Sequence, residues 1–275
     1  MFCRNLIKES LIFRSNYIKG EDPTPLTYKI SKCSLKNDKR GIITMSEKKK
    51  YRIKVTKNGP YIVTGGVPLS KQKIKINDKG ESIGWTEGQK YPDREQYALC
   101  RCGQSKNHPY CDGTHTKIKF KGTETATRDS YFKRAKQIEG PELILYDVRD
   151  LCAYARFCDV DGTIWKLVHE SDNPKKKKLC IRESTDCPAG RFVIIDKRTG
   201  KKIEPKSAPS ISLIEDTAEK ASGPIWVKGA IQIESADGYE YEIREKQTLC
   251  RCGQSKNKPF CNGAHCSCQF YVEHY

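Results

Sequence analysis

Two sixteen-residue strings carry most of the chemistry open to this chain. Cys100-Arg-Cys-Gly-Gln-Ser-Lys-Asn-His-Pro-Tyr-Cys-Asp-Gly-Thr-His115 recurs as Cys250-Arg-Cys-Gly-Gln-Ser-Lys-Asn-Lys-Pro-Phe-Cys-Asn-Gly-Ala-His265, with twelve of sixteen positions identical. Each supplies C-x-C-x8-C-x3-H: Cys100, Cys102, Cys111 and His115, then Cys250, Cys252, Cys261 and His265. Three thiolates and one imidazole can hold a metal in two ways. One zinc ion takes all four ligands on one centre, and its usual knuckle spaces two cysteines by about two to four residues. The C-x-C spacing is tight for that knuckle without excluding it. Four ligands in two pairs suit a [2Fe–2S] rhomb, which offers two terminal sites on each iron. Pro109 and Pro259 stiffen the approach to the third cysteine, and Gly113 and Gly263 permit a tight turn that brings the histidine to the same centre.

Both strings resemble the CDGSH iron–sulfur domain of the mitoNEET-like (NEET) family, whose signature ends in Cys-Asp-Gly-Ser-His. The resemblance implies one [2Fe–2S] cluster per copy. Cys100 and Cys102, or Cys250 and Cys252, would hold the inner iron. Cys111 and His115, or Cys261 and His265, would hold the outer, more exposed one. Thr114 and Ala264 replace the serine of the signature, and Asn262 replaces its aspartate. Loss of that carboxylate implies different potentials at the two centres. A histidine ligand donates less charge than a thiolate and raises the reduction potential. Its second nitrogen titrates near neutral pH, and protonating the coordinating nitrogen would release the outer iron. Electron carrying and cluster donation both follow from that one ligand.

Cys152, Cys158, Cys180 and Cys187 form a second constellation. A ferredoxin runs C-x2-C-x2-C and later Cys-Pro. Here 152, 155 and 158 stand in that spacing, but position 155 is alanine, and Cys187-Pro188 supplies the distal pair. The segment resembles a divergent mono-cluster 4Fe–4S domain, and a third centre there would be [3Fe–4S], or [4Fe–4S] if Cys180 or a non-protein ligand completes it. The bland alternative is a set of thiols in a ferredoxin-like remnant without a cluster. Cys266, Cys268, Cys3 and Cys33 are left unassigned. His108 and His169 read as ordinary surface residues, and His274 as tail.

The elements that must position these ligands are short strands. Residues 51–55, 61–67 and 71–76 precede the first string, and 225–233 and 239–243 the second, all rich in β-branched and aromatic residues and punctuated by glycine. Gly59-Pro60-Tyr61 echoes Gly223-Pro224-Ile225, so two copies of one small module flank a central segment, the first copy carrying an insertion around 77–93. In the centre, 129–138 reads as a helix, 143–146 as a strand, the stretch around Cys152 and Cys158 as a short helix, 175–178 as a solvated loop and 192–196 as a strand. The boundaries are a leader over 1–44 with a start at Met45, a first module over 45–125, a ferredoxin-like middle over 126–213 and a second module over 214–275. The fold class is α+β: two β-rich NEET-type modules pairing as an intramolecular pseudo-dimer around a small inserted α+β domain. A homodimer with reciprocal pairing is the alternative.

Composition bounds the rest. The chain has 275 residues, 36% of them hydrophobic and 31% charged. That is lean for one large core and favours small domains held by something besides burial. No apolar run is long enough for a membrane span. Fourteen cysteines are about 5% of the chain, below the roughly 8–10% of a disulfide scaffold, and no export signal accompanies them. Reduced cysteines in a prokaryotic cytoplasm follow, serving as metal ligands. The net charge of +17 suits an acidic redox partner or an apo iron–sulfur acceptor better than nucleic acid, since the lysines are dispersed. No nucleophile elbow, phosphate loop or dinucleotide fingerprint is present. The sequence therefore reads as an electron carrier or cluster donor. The alternatives are an electron-wiring subunit of a redox enzyme and a zinc-dependent structural module.

Overall fold

The computed structural model describes residues 51–272. The leader, the start at Met45, Cys3, Cys33 and His274 lie outside the described residues. The first module contains β1 (Arg52–Val55), β2 (Tyr61–Thr64), β3 (Leu69–Ile76), β4 (Ser82–Lys90), β5 (Gln96–Leu99) and a one-turn helix α1 (Thr114–Lys117). The middle contains α2 (Tyr131–Arg134), β6 (Lys136–Glu139), β7 (Leu143–Asp147), α3 (Ile164–His169), α4 (Pro174–Asp186), β8 (Phe192–Asp196) and β9 (Lys202–Ile203). The second module follows with β10 (Ser210–Asp216), β11 (Ala221–Lys228), β12 (Gln232–Glu234), β13 (Lys246–Leu249) and α5 (Ala264–Ser267).

The two modules exchange a strand. One sheet runs β12-β1-β2-β5 and the other β13-β11-β10-β3-β4. Within each module a hairpin pairs with the strand that leads into the cysteines: Tyr61 faces Leu99, and Ile225 faces Leu249. The next strand then crosses to the other sheet, where β3 runs parallel to β10 and β12 parallel to β1. The crossing is made by two consecutive left-handed residues, Gly65 and Gly66 in the first copy and Gly229 and Ala230 in the second. Glycine takes that conformation without the penalty a side chain imposes. This is why 61–67 and 225–233, expected as single strands, each break after four residues past their start. One core lies between the sheets. Ile53, Val63 and Leu99 from one sheet pack with Ile211, Ile225 and Leu249 from the other, all at most 1% exposed. Neither module closes that core without its neighbour, and the pseudo-dimer is therefore internal to the chain.

The insertion in the first copy is β4, which extends the larger sheet by pairing with β3. The middle forms its own four-stranded sheet, β6-β7-β8-β9, backed by α3 and α4 over a second core of Leu143, Leu145, Ile164, Leu167 and Ile194. Three expectations fail here and one fails in the second module. Residues 129–138 are not one helix: Ala135 turns extended, and 136–139 pair with β7 as an edge strand. An isolated helix that short is marginal, while the edge pairing satisfies the backbone. The stretch around Cys152 and Cys158 is not helical either. A single 3-10 turn, Arg149–Leu151, ends at Cys152, and Tyr154 and Arg156 then hold left-handed φ of 55° and 62°. Residues 175–178 are the first turns of α4, capped by the Asn173 side chain, which accepts from the Lys175 and Lys176 amides at 3.0 and 3.4 Å, with Pro174 at the first helical position. Lys177 there is paired with Glu142 and Asp196. Finally, 239–243 contributes one isolated bridge, Glu234 to Glu240, in place of a strand. Tyr241 instead bonds Ile233 from its amide and buries its ring against Phe260.

Candidate metal centres

Each CDGSH-like string is pinned to the strand before it by the same pair of backbone bonds. The Cys100 amide donates to Pro109 and the Cys111 amide to Ala98, at 2.8 and 2.9 Å; Cys250 and Cys261 repeat this with Pro259 and Thr248 at the same distances. The loop between them is held by a serine hydroxyl, Ser105 to the Tyr110 carbonyl at 2.6 Å and Ser255 to that of Phe260 at 2.7 Å. The identical Gly-Gln-Ser-Lys-Asn stretch thus fixes the first two cysteines relative to the third. At the centre of the molecule the strings meet. A β-carbon on Gly103 would stand 2.7 Å from the Cys252 carbonyl oxygen, and one on Gly253 would stand 2.6 Å from that of Cys102. Both glycines are left-handed, at φ 77° and 76°, so the reciprocal approach depends on them twice over.

The eight predicted ligands come together as pairs. Cys100 and Cys102 stand 3.7 Å apart at sulfur, and Cys250 and Cys252 stand 3.9 Å apart. Cys111 Sγ lies 3.2 Å from His115 Nδ1, and Cys261 Sγ lies 3.5 Å from His265 Nδ1. Among the described residues, no three His, Cys, Asp or Glu side chains are grouped so as to hold a single ion. Two ligand pairs per site fit a two-iron rhomb, with Nδ1 as the coordinating nitrogen and Nε2 left over. Burial pushes the Cys102 thiol up to about 11. In the second copy the Cys252 thiol bonds to Cys250, which lowers Cys250 and raises Cys252. A buried arginine stands inside each C-x-C. Arg101 donates to the Gly59, Gly122 and Thr56 carbonyls at 2.7, 2.7 and 2.8 Å, while Arg251 pairs with Glu215 at 2.9 Å.

The outer pairs differ sharply in cover. Cys111 and His115 are half-buried at the surface, and the 56–59 loop approaches the ring, where a β-carbon on Gly59 would lie 3.5 Å from His115 Nε2. Cys261 and His265 are each only 3% exposed. The cover comes from the middle segment: the Tyr154 ring packs on Gly263, and Ala153, Ala189 and Cys187 pack with Cys261. The segment is anchored by Arg156, which makes a two-pronged pair with Asp216 at 2.6 and 2.9 Å. Burial lowers His265 to about 4. The expectation of a more exposed outer iron thus matches the surroundings of Cys111 and His115 but not those of Cys261 and His265. Nothing in the repeated strings marks this difference, because the covering residues lie about a hundred positions upstream.

In the middle, Cys152, Cys158 and Cys187 line one small cavity together with Ala153, Ala155, Phe157, Pro188 and Arg191. The left-handed Tyr154 and Arg156 alternate with the buried Ala153, Ala155 and Phe157, Tyr154 lying against Gly263 and Arg156 reaching Asp216. Burial raises both Cys187 and Cys158. Two cations offset that cost. Arg191 acts on Cys158 and Lys246 on Cys187. Cys180 stands apart: it lies in the core of the middle domain, 3.9 Å from the Ile164 carbonyl. Cys266 is half-buried on α5 and Cys268 is exposed beyond it. His169 is exposed as expected, but His108 is half-buried and meets Phe270 edge-on at 6.0 Å, a contact across the modules that its place in a loop does not announce.

These features define a class: two strand-exchanged β modules, each presenting three cysteines and one histidine as two ligand pairs. Residues 58–116 and 222–266 match the family described as iron-binding zinc finger, CDGSH type, one match in each module, and this supports an iron–sulfur protein. No curated protein and no solved structure matches the chain. Among the described residues, no helix is long and apolar enough to cross a membrane.

Proposed function

We propose that this chain is an electron carrier with two [2Fe–2S] clusters, held by Cys100, Cys102, Cys111 and His115 and by Cys250, Cys252, Cys261 and His265. A [2Fe–2S] cluster bound there supplies a one-electron redox centre. The observation that supports this reading is the pairing of the ligands, Cys with Cys and Cys with His, at 3.2 to 3.9 Å within each pair. A single zinc ion would call for four donors converging on one point. The chain's own part is to set two cysteines of each site deep in the central contact, with His115 at the rim of the first site and His265 buried beneath the 152–157 segment at the second. The half-exposed Cys111–His115 pair also favours cluster donation as a second role, confined to the first module.

A third centre in the middle is part of the same reading. It rests on Cys152, Cys158 and Cys187 facing one cavity, a [3Fe–4S] ligand set, with Arg191 and Lys246 supplying positive charge. Reduction of anaerobically purified protein, followed by EPR, tests the whole. The expected result is two distinguishable one-electron signals from the modules, one removed by Cys111→Ala and the other by Cys261→Ala. A protein that shows no reducible centre, or one signal that both variants remove together, would overturn the reading.

A further inference from the structure

The two modules repeat one ligand set, yet they differ in what surrounds its outer pair. At the second module the cysteine–histidine edge is closed, with Cys261 and His265 at 3% exposure beneath Tyr154 and the 152–157 segment. At the first module the edge is open, and its rim is basic. Lys117, Lys119 and Lys121 follow His115 on a tight turn, in which the Ile118 amide returns to Thr114 and the Phe120 amide to His115 at 3.1 and 2.9 Å. All three lysines are exposed. Lys106 is exposed on the cysteine loop, its amide bonded to Asp112 at 2.8 Å, and Lys57 is exposed on the loop whose Gly59 approaches His115. Among the described residues none of these five lysines is in an ion pair, and Asp112 is the one carboxylate within the 106–121 stretch.

The part of the basic rim that follows His115 is not inherited from the repeat. At the corresponding places after His265 stand Ser267, Gln269 and Tyr271. Lys106 recurs as the exposed Lys256, so the lysines particular to the open edge are the three that follow His115. A cluster of one sign around an accessible edge steers a partner of the opposite sign and orients it on arrival. Nucleic acid would also meet positive charge, but five lysines about one open edge, with Asp112 among them, fit a compact acidic patch better than an extended phosphate track.

We propose that the Cys111–His115 edge and its collar of Lys57, Lys106, Lys117, Lys119 and Lys121 form the docking surface for an acidic protein partner, and that the second module is closed to such partners by the 152–157 segment. The proposal rests on the iron–sulfur reading for its purpose but not for its charge or shape.

The test uses the full chain as purified and, as probe, a flavodoxin of net negative charge. Affinity is measured by titration calorimetry at low salt, and iron and sulfide are measured on the same samples. Three proteins are compared: wild type, the collar variant K117E/K119E/K121E and a control, K175E/K178E/K201E. The control reverses three exposed lysines of the middle segment and so makes the same change in net charge. The expected result is a tenfold or greater loss of affinity in the collar variant, with the control within threefold of wild type. The milder K117Q/K119Q/K121Q should fall between, which guards against loss through misfolding. Equal weakening in collar and control variants would overturn the docking surface, as would no measurable binding by wild type. A collar variant that loses duplex DNA while keeping the flavodoxin would overturn it in favour of nucleic acid. Selective loss in a sample without iron or sulfide would support the docking surface and sink the iron–sulfur reading instead.

Discussion

Alanine at Gly263 should cost distinctly more than alanine at Gly113, although the two stand at one position of the repeated motif. Both glycines are left-handed, with φ of 84° and 85°. A β-carbon in that conformation costs about 1–2 kcal/mol at either place. At Gly113 it would meet nothing within 4 Å, so the backbone cost is the whole effect. At Gly263 it would strike the Tyr154 ring from its edge to its root at Cγ, so the ring must leave rather than pivot. Tyr154 is 39% exposed. Displacing it gives back roughly 60% of an aromatic surface of about 200 Å². At about 25 cal/mol per Å² that is about 3 kcal/mol as an upper figure. Gly113→Ala should therefore lose about 1–2 kcal/mol and Gly263→Ala about 3–5 kcal/mol, read from guanidinium unfolding of samples with equal metal content. In a Tyr154→Ala background the excess at Gly263 should vanish, because the clash has been removed. Equal losses at the two glycines, or an excess that survives without Tyr154, would refute the claim that the middle segment covers the second centre.

Other perturbations probe the contacts that hold the two modules together. Gly103→Ala places a β-carbon 2.7 Å from the Cys252 carbonyl oxygen in a left-handed residue, and a loss of about 2–4 kcal/mol is expected from the urea midpoint. Glu215→Gln leaves the Arg251 guanidinium buried without its carboxylate. It should cost about 3–5 kcal/mol in the same assay, while replacing both partners by apolar residues recovers much of it. Glu183 is raised by burial from 4.5 to about 7, so the folded protein holds its proton where the unfolded chain has released it. Its contribution is present in full below pH 4.5 and is lost as pH rises to about 7; Glu183→Gln should flatten that slope in unfolding curves taken across the window. Cys180→Ser should leave the number of EPR-active centres unchanged, because Cys180 sits in the core beside Ile164 and not in the cavity; loss of a signal would put it among the ligands.

Much of the site was legible because its signal is local. The C-x-C-x8-C-x3-H strings, their prolines and their glycines all lie within sixteen residues, and the structure sets Cys beside Cys and Cys beside His, the pairs that the family resemblance implies. The strand exchange was half legible. Gly65-Gly66 and Gly229-Ala230 were in view, but a run of β-branched residues on either side reads as one strand until the positive φ angles divide it. The Asn173-Pro174 cap of α4 was also in view and was outweighed by four lysines in a row, although long polar side chains suit a helix as well as a loop. What the sequence does not display is the closing of the second centre. That depends on Tyr154 meeting Gly263 and on Arg156 meeting Asp216, contacts between segments whose relative placement only the tertiary fold sets.

Metal and acid-labile sulfide analysis of anaerobically purified protein tests the central claim most directly. Two [2Fe–2S] clusters predict about four irons and four sulfides per chain in a coloured protein, and a third [3Fe–4S] centre raises the iron to about seven. Stoichiometric zinc in a colourless protein without sulfide would contradict the account at its root.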